Sequence, residues 1–299
     1  MKHLMYILAP RYGAHEGLVA PARPHAAIWR IVAGLVLVAV VSLAGTKLFI
    51  DLVAAMSPGL SAPHEGKTPG AMLVLLFSFV FVSIGVVLAA RLFHHRSELS
   101  LFGPLPLFFR QFRRTLAGLF LLWVVITLSP PYGVSVPLEP NLDMGHWVRL
   151  LPLALLGVFA QVEAEELLFR GYIQQALAAR FSTPWVWMVL PSAVFALGHY
   201  LPAEAGDNAL LIAIWAGLFG VLMADLTARA GSLGPAVAVH LVNNVVALLI
   251  VGSPSSLNGL ALHLVPFELS DSAQIRPWLW VDFAMMVVSW LVARLAIRA

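Results

Sequence analysis

A charged run, Gln161-Val-Glu-Ala-Glu-Glu-Leu-Leu-Phe-Arg-Gly-Tyr172, interrupts a long apolar stretch of the chain. Glu163, Glu165, Glu166 and Arg170 fall where periodicity predicts a membrane helix, and ionisable groups at that depth cost several kcal/mol each. On a helix, residues four apart share a face, so Glu166 and Arg170 are placed to pair while Glu165, turned by about 100°, points elsewhere. One carboxylate is spoken for and the other is available as a base. A helix–helix ion pair that only fixes packing is the competing explanation.

Two later pairs repeat the four-residue spacing. Phe195 and His199 lie near the end of one apolar run, which gives the imidazole an aromatic neighbour. His240 and Asn244 follow Gly231-Ser-Leu-Gly-Pro235, a helix-start signal in which Pro235 suits the first turn. An imidazole and a carboxamide projecting side by side can both donate to a developing oxyanion. Taken singly, each group has a packing explanation. Together they supply a carboxylate base, an imidazole to share the water and a donor pair, enough to attack an amide with water.

The elements that must position these groups are membrane helices. The chain has 299 residues, 60% hydrophobic and 11% charged, with mean hydropathy +0.88, far from the composition of a soluble domain. The absence of cysteine removes thiol catalysis, thiolate metal sites and disulfides. The fold class expected is an all-α, polytopic transmembrane bundle. Its apolar runs span about 27–50, 70–93, 114–129, 147–169 (continuing toward Arg180), 184–200, 209–227, 235–252 and 277–296, or about eight helices at roughly 20 residues each.

Alternating the connections sorts the charges. One side collects cations such as Lys2, Arg23, Arg96, Arg113, Arg180 and Arg298; the other collects acids such as Asp51, Glu139, Asp143, Glu204 and Glu268. The positive-inside rule puts both termini in the cytoplasm. The net charge of +3 thus has a topological origin, and no basic run is long enough to form a nucleic-acid face.

The Arg91–Arg114 segment, with His94, His95 and the prolines of Gly103-Pro-Leu-Pro106, is expected to be a solvated cytoplasmic loop, and Ser129-Pro-Pro-Tyr-Gly133 a turn on the far side. Adjacent histidines diverge on a helix, which argues against a metal site at His94/His95. His3, His15, His25, His64, His146 and His263 fall in loops or arms and receive no role. No His-Glu-x-x-His helix and no Gly-x-Gly-Asp signature occurs, and the Gly59-Leu60-Ser61 triplet sits in a Pro-rich loop.

Glu165-Glu166-x-x-x-Arg170-Gly171, Phe195-x-x-x-His199 and His240-x-x-x-Asn244 resemble the three motifs of the CAAX prenyl endopeptidase and bacteriocin-processing (Abi) family of glutamate-dependent intramembrane proteases. The resemblance covers about residues 150–252. It implies that Glu165 and His199 activate the attacking water, that His240 and Asn244 form the oxyanion hole, and that Glu166 and Arg170 support the site. It also implies no required metal or other cofactor, although Glu165, His199 and His240 are by chemistry a possible zinc set. Glu163 lies outside the pattern, three residues from Glu166. The domain division expected is an arm and three helices over 1–146, and a protease core with the last helix over 147–299. The partners expected are the lipid bilayer and a membrane-associated or lipidated peptide or protein: a prenylated C-terminus, a leader peptide or a transmembrane sorting tail. The alternative is a non-catalytic scaffold, immunity protein or transporter that uses the polar cluster structurally.

Depth counting constrains the fourth helix. Were it to end near Arg170, Glu165 would lie about 22 Å from the level of His199. The helix is therefore expected to continue to about Arg180 and the fifth span to be short, with Leu201–Asn208 recessed. The wet site is expected to open on the cytoplasmic side, where His240 begins its helix.

Overall fold

In hydrocarbon, backbone groups must bond within their own segment, so apolar runs of this length fold as helices. The computed structural model describes residues 9–57, 63–130 and 137–298. Lys2, His3, the Gly59-Leu60-Ser61 triplet and Pro131–Gly133 of the expected far-side turn lie outside the described residues.

Among the described residues there are eight apolar helices: α1 (Ile28–Met56), α2 (Pro69–His94), α3 (Leu105–Leu128), α4 (Met144–Arg180), α5 (Trp185–Gly198), α6 (Ala209–Ala230), α7 (Gly234–Ile250) and α8 (Ser272–Ile297). Six are long and apolar enough to cross a membrane: α1 to α4, Pro202–Ala230 (which contains α6) and α8. With 10–17 residues each, α5 and α7 fall short of a full crossing. The chain is thus an all-α, multi-pass membrane protein. Many large side chains on α1, including Val32, Val36, Val40 and Leu43, face outward, as a lipid-facing helix requires.

Helix starts follow local chemistry. The Thr68 hydroxyl accepts from Ala71 N at 3.3 Å ahead of Pro69, Asp143 accepts from His146 N at 3.0 Å, and Asp271 accepts from Ala273 N and Gln274 N. At α3 the sequence expectation fails. Pro104 stands just before the helix and Pro106 in its first turn, where a missing N–H costs nothing, so these prolines start α3 at Leu105 instead of interrupting a helix.

Three groups of buried side chains form the core, and α4 takes part in all of them. Leu167, Tyr172 and Ile173 pack with α1, α2 and the start of α5. Ala154, Val158 and Val162 pack with α2, α3 and α7. Phe169 reaches the third group, where Phe195, Phe219, Val239 and Met286 join α5, α6, α7 and α8.

Two features were not expected. A three-stranded sheet of two-residue strands, β1 (Glu139–Pro140), β2 (Val251–Gly252) and β3 (His263–Leu264), ties the chain before α4 to the chain after α7. At the opposite end, the turns over residues 9–25 are docked and are not a solvated arm. The Tyr12 hydroxyl donates to Asp225 Oδ1 at 2.8 Å, while Arg229 Nε and Trp290 Nε1 donate to the same carboxylate. Leu18 is fully buried, and its carbonyl accepts from Arg96 Nη2 at 3.3 Å. The same guanidinium donates to Gln175 Oε1 at 2.7 Å. His94 closes α2 as a buried residue, 2.8 Å from Tyr172 Oη and 3.1 Å from the His25 carbonyl, which corrects its loop assignment. His15 is also buried, against the Trp187 ring at 4.7 Å and Gln174 Nε2 at 3.4 Å. The arm is rich in Ala, Gly and Pro, and it covers the ends of α4 and α6.

Candidate active site

The fourth helix does continue to Arg180, which settles the depth problem. Glu165 stands about 22 Å up α4 from that end, and His199 about 21 Å up α5 from Trp185, so the two come level. Immediately after Glu166 the helix widens into π-type turns over Leu167–Ile173, a distortion common at functional sites.

Glu166 and Arg170 pair as their spacing requires. Arg170 Nη1 donates to Glu166 Oε1 at 3.0 Å, with the side chains 2% and 0% exposed. The other guanidinium nitrogen donates to the Gly220 carbonyl of α6 at 3.2 Å. Gly220 also lets α6 lie close against α5, because an added Cβ would fall 2.8 Å from the Ser192 Cβ. The guanidinium carbon lies 5.2 Å from the Phe195 ring centre and 5.8 Å from that of Phe169.

His240 joins both acids. Its Nδ1 is 2.8 Å from Glu166 Oε1 and its Nε2 is 3.5 Å from Glu165 Oε2. Two lone pairs do not face each other at that distance without a proton or water between them. Glu166 Oε1 accepts from Arg170 and, as a carboxylate oxygen, also from Nδ1, which leaves Nε2 facing Glu165 Oε2. Two carboxylate oxygens, Glu165 Oε2 and Glu166 Oε2, are buried without a hydrogen bond, and Glu165 as a side chain is 16% exposed.

His199 is held differently. Its Nδ1 is 2.9 Å from the Phe195 carbonyl, which makes Nδ1 the N–H and leaves Nε2 with its lone pair. The His199 ring lies 4.4 Å from that of Phe195, and the Phe195 ring lies 6.2 Å from His240. Among the described residues no bond joins His199 to Glu165 or His240, and the Phe195 ring neighbours both imidazoles.

Asn244 does not share a partner with His240. Its Nδ2 donates to Gln161 Oε1 at 2.8 Å, and its Oδ1 accepts from Asn243 Nδ2 at 3.2 Å. Gln161, Asn243, Gly220 and Phe219, whose ring is 5.0 Å from that of His240, are site residues that sequence reasoning missed. For Gln161 a signal existed: it stands four residues before Glu165 and so shares its face. Glu163 accepts from the Ser83 hydroxyl of α2 at 2.7 Å and takes no part in the cluster.

The expected opening beside the start of α7 is closed. Residues 231–240 are buried throughout, with Gly231 in a left-handed turn (φ 66°) pressed against the Ala14 backbone of the arm. Leu233 N donates to the Phe102 carbonyl at 3.1 Å, and Gln111 Nε2 caps the Ala230 carbonyl at 3.1 Å. Exposure rises instead at Glu165, His199, Asn243 and Asn244, on the side of the cluster away from the arm. Among the described residues no group of three or more His, Asp or Glu is placed to hold a metal ion.

Residues 147–246 match the family model described as type II CAAX prenyl endopeptidase Rce1-like. The chain is also similar to the Bacillus subtilis (strain 168) protein described as uncharacterized protein YyaK, with 24% identity over 192 residues, 60% of this chain and 61% of the relative. It thus spans less than two thirds of the length of that relative. No solved structure matches. The matched segment contains Glu165, Glu166, Arg170, His199, His240 and Asn244. Residues 147–246 are thus similar to an Rce1-like type II CAAX prenyl endopeptidase domain, carried in a multi-pass membrane protein.

Proposed function

We propose that the chain is a glutamate-dependent intramembrane endopeptidase that cleaves a membrane-associated or lipidated protein with an activated water. Glu165 takes a proton from the water, with His199 Nε2, beside Phe195, as the second acceptor. The water oxygen bonds to the amide carbon, and the carbonyl electron pair moves onto oxygen. Asn244 and the Nε2–H of His240 donate to that oxyanion. When the tetrahedral intermediate collapses, the C–N bond breaks and the leaving amine takes the proton from Glu165. Glu166 and Arg170 hold His240 in the orientation this requires. No metal enters the scheme.

The single observation that carries the reading is the buried, unbonded Glu165 Oε2 at 3.5 Å from His240 Nε2, beside an acid already neutralised by Arg170. A purely structural ion pair accounts for Glu166 and Arg170 but leaves the second carboxylate unexplained, since an unsatisfied buried charge costs stability. In this reading residues 1–146 admit and select substrate, residues 147–299 perform the chemistry, and both termini are cytoplasmic in a bacterial plasma membrane.

The test is to compare new protein termini in membranes from cells carrying wild type, Glu165→Gln or His240→Ala at equal expression. Loss of a common set of termini in both variants supports the protease. An unchanged set in both variants supports a scaffold. Activity of the purified protein that survives exhaustive chelation supports the metal-free scheme, and its loss with recovery on adding zinc contradicts it.

A further inference from the structure

We propose that Gln161 is a second carboxamide donor of the oxyanion site, resting on the protease reading above. Gln161 stands one helical turn before Glu165 on the same face of α4, and it is 7% exposed. Its Oε1 is occupied by Asn244 Nδ2 at 2.8 Å, and Asn244 Oδ1 is in turn occupied by Asn243 Nδ2 at 3.2 Å. In this arrangement each amide presents its oxygen to the nitrogen of the next. Both N–H bonds of Gln161 Nε2 are left without a hydrogen-bond partner among the described residues, as is the second N–H of Asn244.

The need for a further donor follows from what His240 is already doing. Its Nδ1 is engaged by Glu166 and its Nε2 faces Glu165, so it can donate to an oxyanion only while it carries both protons. The amides donate whatever the protonation state of the acids. Gln161 therefore has two functions: Oε1 orients Asn244, and Nε2–H donates to the carbonyl oxygen of the scissile bond as that oxygen gains charge. No atom of Gln161 changes its bonding in the step.

The test uses the full chain in proteoliposomes and a peptide spanning a cleavage site whose processing in cells depends on Glu165. Gln161→Met removes donor and acceptor together, whereas Gln161→Glu keeps an acceptor for Asn244 and replaces the donor with a carboxylate oxygen, adding a charge as well. The expectation for both variants is a fall in kcat of about 100-fold or more with KM changed far less, the size seen when one oxyanion donor is lost. Asn243→Ala, which only frees the Asn244 amide to turn, is expected to cost about tenfold, within the usual worth of one hydrogen bond. If Gln161→Met fails to fold, Gln161→Glu decides the matter alone. Wild-type kcat in Gln161→Glu, with Glu165→Gln inactive, overturns the assignment while leaving the protease reading intact. If no terminus depends on Glu165 in cells, the protease reading falls and the role of Gln161 falls with it.

Discussion

Arg96 and Arg170 are both buried, 5% and 2% exposed, yet they are held by different chemistry. Arg96, at the end covered by the arm, donates to neutral oxygens of Gln175, Leu18 and Ser100. Burial among neutral groups pulls its pKa down to about 10. Arg170, in the polar cluster, faces the carboxylate of Glu166 and the carbonyl of Gly220. At the covered end the orphaned oxygens are neutral, Gln174 Oε1 and Thr227 Oγ1 among them; at the cluster they are carboxylate oxygens of Glu165 and Glu166. An unbonded neutral oxygen costs about 1–3 kcal/mol and an unbonded charged one more. The covered end is built for stability, whereas the cluster retains a cost that stability alone does not explain.

The contrast is broken most severely at Arg170. Arg170→Met leaves Glu166 as an uncompensated buried charge and is expected to destabilise the protein by about 3–5 kcal/mol, read as a lowered unfolding midpoint in detergent. Cleavage is expected to fall with it, because His240 loses its fixed partner.

Acid acts on the covered end. Burial against Trp187 lowers the His15 pKa from 6.5 to about 4, so the unfolded chain takes up a proton there before the folded one does. The stability that His15 contributes is complete above about pH 6.5 and is lost as the pH falls toward about 4. At pH 5 the loss is about 2 kcal/mol relative to pH 7. Limited proteolysis of residues 9–25 should accelerate across that window in wild type and stay flat in His15→Phe.

Arg96→Met gives the smallest effect. It removes hydrogen bonds to neutral groups only, and the expected loss is about 1–2 kcal/mol. Because Arg96 lies away from the cluster, kcat is expected to stay at the wild-type value. A fall in kcat as large as that of Arg170→Met would erase the distinction between the two ends.

Much of the cluster was legible because a charge in an apolar helix is conspicuous and four-residue spacing fixes a shared face. Glu166 with Arg170 was foreseen in this way, Glu165 beside His240 followed from the resemblance of the three motifs to a protease family, and the length of α4 followed from the depth of His199. Gln161 escaped notice because, although it shares a face with Glu165, an uncharged amide costs less at membrane depth than the charges beside it. The burial of His15 and His94 escaped because it depends on contacts across 159 and 78 residues of chain, which periodicity does not register. The closed end at α7 was missed for the same reason, since Ala14 and Phe102 come from distant segments to cover it. Pro104 and Pro106 misled because proline both breaks helices and begins them, and the distinction lies in its position relative to a helix start that was not yet known.

Glu163 and Glu165 lie two residues apart on one helix, the first bonded to Ser83 and the second unbonded beside His240. The most direct measurement is the rate at which Glu165-dependent termini appear in membranes carrying Glu163→Gln or Glu165→Gln. The account predicts a near-normal rate for Glu163→Gln and a loss of about 100-fold or more for Glu165→Gln, the range expected when a general base is removed. Equal rates in the two variants, or unimpaired processing in Glu165→Gln, would contradict it.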